Sequence, residues 1–158
     1  AGLFLVAALS LSCPSYAQIV QCTHGQSGHI QDTSITTVPS YWGWGLDFIL
    51  NSGNSDWVHF AVPTVLFEKT RYLAIKFATG SVDAIVNQVD IWSGNTLVKQ
   101  FLNLNWTTSG PSDAQWKILD LGSDVNFESI GISVGIGAGV EAMSHRFLFH
   151  SVCAEFHP

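Results

Sequence analysis

Residues Trp57-Val58-His59-Phe60-Ala61-Val62-Pro63 alternate without a break: Val58, Phe60 and Val62 point one way, and Trp57, His59 and Ala61 the other. A period of two marks a half-buried strand, because successive side chains of a strand leave opposite faces. Pro63 closes the run, having no N–H to give to a ladder. The same period recurs along the chain, and the 3.6-residue period of an amphipathic helix does not. Such a chain must bury one face of each strand against another sheet.

The pattern predicts strands at 19–23, 42–50, 57–62, 71–78, 84–92, 96–104, 115–121, 129–140 and 145–156, with a further short segment at 34–37. Ser93-Gly94-Asn95 joins two of them as a hairpin, and 103–111 reads as a long polar connection. About nine strands separated by turn residues predict an all-β fold, an antiparallel two-sheet β-sandwich of jelly-roll type. Residues 18–158 form one domain on this reading.

Residues 1–17 differ from the rest. The apolar run Gly2-Leu3-Phe4-Leu5-Val6-Ala7-Ala8-Leu9 is followed by small residues, and Ser15-Tyr16-Ala17 suits a cleavage site. This is the pattern of a secretory signal peptide lacking its N-terminal part, with Gln18 the mature N-terminus. A lipoprotein box ending at Cys13 is the weaker alternative, since Ser10 stands where Leu is usual. A third is that the segment is retained and pairs as a strand. An extracellular or periplasmic location follows from the signal. With Cys13 removed, Cys22 and Cys153 remain, and a secreted chain with two cysteines is expected to join them. The bridge ties the first strand to the last.

Only 11% of residues are charged against an apolar 47%, the net charge is −6, and no Lys or Arg precedes Lys69. Nucleic acids and anionic membranes need basic patches, so neither is an expected partner. No segment is long enough to span a bilayer.

From Gly131 to Gly139 the odd positions are all Gly or Ser, while the even positions are Ile, Val, Ile and Ala. One face of that strand feeds the core and the other is nearly bare backbone. Either a neighbouring aromatic lies over the glycines, or they form a shelf for a ligand ring. Trp42, Trp44, Trp57 and Trp92 are the aromatics available to cover them. Indoles also stack on the apolar C–H faces of sugars. Trp106, in the polar stretch, is the first candidate for such a contact, followed by Trp44 and Trp92 at strand ends. Most tryptophans of a sandwich anchor the core, so at most two of the six are expected to be exposed.

Asp47, Asn51, Asn54, Asp56 and Glu141 have the donor chemistry for calcium, but their spacing matches no calcium loop. Residues 51–56 read more simply as a polar turn. No His pair has metal-ligand spacing, no nucleophile elbow occurs, and no catalytic residue, metal ligand or cofactor is nominated. His59 and His150 read as hydrogen-bonded strand residues. Asn105-Trp106-Thr107 is the only glycosylation sequon.

Trp42-Gly43-Trp44-Gly45, Trp57-Val58-His59-Phe60-Ala61-Val62-Pro63-Thr64 and Val89-Asp90-Ile91-Trp92-Ser93-Gly94 together resemble a family of uncharacterised small secreted β-sandwich proteins. The late strand Gly131–Gly137 and the terminal strand 147–156 extend the resemblance over about residues 40–156. It implies the fold and carries no activity.

The function expected is a non-enzymatic secreted binding module for a glycan or cell-surface ligand. A self-associating structural protein is the second reading and a small hydrolase the third. Clustered exposed tryptophans favour the first, an open sheet edge the second, and two convergent carboxylates the third.

Overall fold

The structure, a computed structural model, describes residues 18–158. The expectations for 1–17, including Cys13, lie outside the described residues. Eleven strands run in chain order: β1 Ile19–His24, β2 His29–Ile30, β3 Ser40–Trp42, β4 Gly45–Leu50, β5 Ser55–Val62 and β6 Lys69–Thr79. They are followed by β7 Ala84–Ser93, β8 Thr96–Trp106, β9 Gln115–Asn126, β10 Ile130–Ala138 and β11 His145–His157. All pair antiparallel in two sheets.

One sheet is ordered β3-β4-β11-β6-β9, with β1 also paired to β11; the other is β2-β5-β10-β7-β8. The two-sheet antiparallel sandwich is therefore as expected, with two short strands more than nine. The extra strands have local causes. The stretch 42–50 is not one strand: it folds back at Gly43-Trp44, pairing Trp42 with Gly45. Gly45 takes φ 154, and a Cβ there would run into the Phe149 carbonyl, so only glycine fits. Residues 34–37 are not a strand either. Asp32 accepts from the Ser34 amide at 2.9 Å and caps a 3-10 turn over Thr33–Ile35.

The core lies between the sheets and is built from the inward residues of each alternation. Val58, Phe60 and Val62 of β5 and Ile132, Val134 and Ile136 of β10 meet Leu73, Ile75 and Phe77 of β6 and Phe147 and Phe149 of β11. Phe149 stands at the centre of an aromatic cluster, with Phe48, Phe60 and Phe77 at centroid distances of 6.5, 5.6 and 6.2 Å. These lie in the range of favourable ring pairing. Cys22 and Cys153 are joined, as expected, linking β1 to β11 across 131 residues of chain. They are direct cross-strand partners.

Candidate functional site

Sheet order turns the outer face of β2-β5-β10-β7-β8 into three rows of side chains. The middle row, read across the register, is His29, His59, Ser133, Asp90 and Gln100. The row on one side is Trp57, Gly135, Gln88 and Leu102. On the other side Ala61 and Trp92 flank Gly131. Two indoles thus stand on either side of a polar row, four residues apart along β10 and two strand spacings apart across it, which puts their backbones about 16 Å from one another.

The glycines of β10 make room for this arrangement. A Cβ at Gly135 would lie 2.9 Å from Asn87 Oδ1, 3.2 Å from Gln88 Cβ and 3.3 Å from Trp57 Cη2. The indole of Trp57 thus reaches across to the backbone of Gly135. At Gly131 the nearest neighbour is Trp92 Cβ, at 3.5 Å. Of the two readings of the glycine strand, close aromatic packing is what Gly135 displays, while Gly131 meets only the Cβ of Trp92. Trp57 and Trp92 are both half-buried, so part of each remains open to solvent.

Beside Trp57 the face deepens into a cleft of about 400 Å³, lined by Asp56, Trp57, Asn87, Gln88, Asn103 and Asn105 among others. Its amides come from an irregularity in β8. Gln88 pairs with Leu102 and Val86 with Trp106, so three residues of β8 oppose one of β7. Asn103 and Asn105 absorb the excess in the left-handed region, at φ 56 and 48. Asparagine tolerates that region better than other non-glycine residues, and such conformations gather at functional sites. Residues 103–106 therefore belong to a bulged strand, where a polar connection was expected.

Hydrogen bonds fix the middle row. His59 Nδ1 lies 2.9 Å from Ser133 Oγ and Nε2 lies 3.2 Å from Gln31 Oε1. Because an amide oxygen only accepts, Nε2 carries the proton in the neutral ring and Nδ1 accepts from Ser133. Burial holds the His59 pKa below its ordinary 6.5, the His29 charge adds to this, and Asp56 opposes it. Asp90 is buried and accepts from Gln88 Nε2 at 2.8 Å and Gln100 Nε2 at 3.3 Å. Ser, His and Asp are all here, but not in triad order. The outer nitrogen of His59 meets an amide, and Asp90 lies on the far side of Ser133. The row is suited to hydrogen-bonding a ligand rather than to generating a nucleophile.

The expected site residues separate. Trp92 is on this face. Trp44 is exposed at the β3–β4 turn on the other sheet. Trp106 is half-buried and packs on the core, its ring 6.2 Å from that of Phe77 and its centre 5.9 Å from Lys117 Nζ. Its cross-strand partner is the buried Val86, so the indole turns toward the core rather than onto this face. Three tryptophans are exposed rather than at most two: Trp42, Trp44 and Trp116. Among the described residues no three His, Cys, Asp or Glu side chains converge as a metal site. Asp47 is paired with Arg146, and Asp56 accepts from the amides of Asp32 and Trp57. The sequence reading missed Asn87, Gln88, Asp90, Gln100 and Asn103. The only sign of them was that polar positions alternate with Val86, Val89 and Ile91.

No protein-family model matches the chain, and no curated protein matches it in sequence. Solved structures do resemble it in fold. A family 35 carbohydrate-binding module from Clostridium thermocellum matches with TM-score 0.53 at 11% identity, over 87% of this chain and 97% of that one. The low-affinity xylan-binding module CBM86 from Roseburia intestinalis gives 0.52 at 11%, over 87% and 96%. The C-terminal family 6 module of a laminarinase from Zobellia galactanivorans gives 0.51 at 10%, over 87% and 99%. The chain thus has the β-sandwich fold seen in these carbohydrate-binding modules, and at such identity the likeness extends to fold alone.

Proposed function

We propose that this chain is a secreted, non-catalytic carbohydrate-binding module that takes a glycan on the outer face of the five-stranded sheet. The observation that carries the reading is the placement of Trp57 and Trp92 on either side of a hydrogen-bonding row, over a strand of glycines. A sugar ring has an apolar C–H face and a rim of hydroxyls. The indoles serve the first, and the amides of Asn87, Gln88, Asn103 and Asn105 serve the second. Asp90 and Asp56 are engaged by protein donors, so the face suits a neutral glycan better than a cationic ligand. The fold shared with carbohydrate-binding modules supports the class, and the Cys22–Cys153 bridge suits an oxidising compartment.

Affinity electrophoresis of the oxidised chain in gels containing soluble xylan, mixed-linkage β-glucan or galactomannan tests this. The wild type should be retarded by at least one of the three. Trp57→Ala and Trp92→Ala should each weaken binding about tenfold, equivalent to ~1.4 kcal/mol. Retardation unchanged in both variants, or none for the wild type in any gel, would contradict the reading.

A further inference from the structure

We infer that His29 and His59 form a chelating site for a divalent transition ion of the class imidazole binds, Zn²⁺ or Cu²⁺. The inference does not rest on the glycan reading. The two residues are far apart in sequence, so no spacing announces them, and strand pairing brings them together. His29 of β2 stands directly opposite His59 of β5. Side chains so placed on one face of an antiparallel pair have Cβ atoms about 5 Å apart. Two imidazoles on such positions can turn their lone pairs to one ion. His29 is exposed and His59 half-buried, so an ion reaches both from solvent.

The His59 ring is already aimed. Ser133 of β10 holds Nδ1 at 2.9 Å, which turns Nε2 to the other side, toward the chain of β2, where Gln31 Oε1 lies 3.2 Å away. Gln31 is exposed and follows His29 by two residues, and its N–H donates to the Trp57 carbonyl at 2.9 Å, so the pairing runs on through it. Its amide oxygen is a third donor beside the two rings, and water completes the shell. Neither contact of His59 stands in the way. In the free protein Nε2 carries the proton. On binding, Nε2 gives its lone pair to the metal and the proton sits on Nδ1, which donates to Ser133 Oγ. A hydroxyl both donates and accepts, so Ser133 serves either tautomer. Ligating histidines have their second nitrogen held by such a partner.

The surroundings favour a cation. β2, β5 and β10 carry no Lys or Arg. Burial and His29 both act against a charged His59 ring, leaving it neutral as a ligand must be, while the Asp56 carboxylate acts on it in the sense that favours positive charge. The nitrogen donors select the ion. Transition ions of intermediate softness take imidazole, whereas Ca²⁺ and Mg²⁺ take oxygen. An ion here clamps the two-residue strand β2, at the edge of its sheet, to β5.

The test is a titration of the oxidised protein with Zn²⁺, followed on the ring nitrogens of the six histidines by long-range proton–nitrogen correlation. His29 and His59 should shift saturably, with His59 passing from the Nε2–H to the Nδ1–H form, and Ca²⁺ should move neither ring. Ser133→Ala, which removes only the support of Nδ1, should weaken Zn²⁺ binding about tenfold, and His29→Gln or His59→Gln should weaken it more than that. Should His59→Gln unfold the sheet, as far-UV circular dichroism would report, His29→Gln on the short edge strand decides. Rings of His29 and His59 unmoved by Zn²⁺, a response confined to other histidines, an equal response to Ca²⁺, or an affinity unchanged by His29→Gln overturns the site. The glycan gels are run without metal and scored apart, so a failure there sinks the glycan reading and leaves this site standing.

Discussion

At the scale of single residues, the proposed binding face depends on what Gly135 leaves out. Alanine there would push on Asn87 Oδ1 and on the tip of Trp57, both of which lie inside ordinary contact distance. Gly135→Ala should therefore weaken glycan binding several-fold by tilting the indole, while thermal unfolding shifts by about 1 kcal/mol or less. Calorimetry paired with the gel assay separates the two effects. Trp106→Ala should do the opposite. Its ring packs on Phe77 and the core, and its loss should cost about 3 kcal/mol of stability in a denaturant titration with binding unaltered.

His59 gives the same face a pH dependence. Its pKa is lowered in the folded protein, so the neutral ring is favoured by folding. The stability it contributes is complete above the unfolded value of 6.5 and is lost as pH falls through the lower folded value. Melting temperature should decline below about pH 6.5, and His59→Gln should flatten that part of the profile. An unchanged slope in the variant would assign the decline to other groups.

Between elements, adjacency decides the site, and adjacency is where sequence reading stops. The alternation of 57–62 and 131–137 places Trp57, His59, Gly131, Ser133 and Gly135 on outward positions correctly. It does not say that β10 lies between β5 and β7, a non-local pairing that period-two patterns leave free. Without that order, Asp90 and Trp92 cannot be set beside Ser133 and Gly131. Trp106 escaped for a different reason: Asn103 and Asn105 carry the composition of a loop, yet β8 continues through them as a bulge. The sequence pattern runs the tryptophans of 42–44 into a straight strand, because a two-residue turn leaves little trace beyond its glycines.

One loop shows how an element is held without regular structure. Asp83 Oδ2 accepts from the amides of Glu141 and Ala142 at 3.0 and 3.1 Å and lies 3.1 Å from His145 Nε2. Burial works to raise the Asp83 pKa, and bonds from Ala142, His145, Ser81 and Glu141 outweigh it, leaving the group well below its ordinary 3.8. That stability is present above 3.8 and is lost as pH falls further. Asp83→Ala should free the segment between β10 and β11, and limited proteolysis should then cut within 139–144 at a rate the wild type does not show.

For the molecule as a whole, the bridge between β1 and β11 closes 131 residues of chain. A loop of that size is worth ~5 kcal/mol in the chain-entropy account, so reductant should lower the denaturant midpoint markedly. The sheets it helps to hold together carry the residues of the proposed site outward, because the inward faces are given over to the phenylalanine cluster. Fold, bridge and low surface charge fit a protein that works outside the reducing cytosol on an uncharged ligand. The central claim is that this ligand is a glycan held by Trp57 and Trp92. The most direct measurement is a titration with xylo-, cello- and laminari-oligosaccharides followed on the six indole N–H resonances. The account predicts that Trp57 and Trp92 shift saturably with at least one series while Trp106 stays still. Indole signals unmoved by all three, or a shift confined to Trp106, would contradict it.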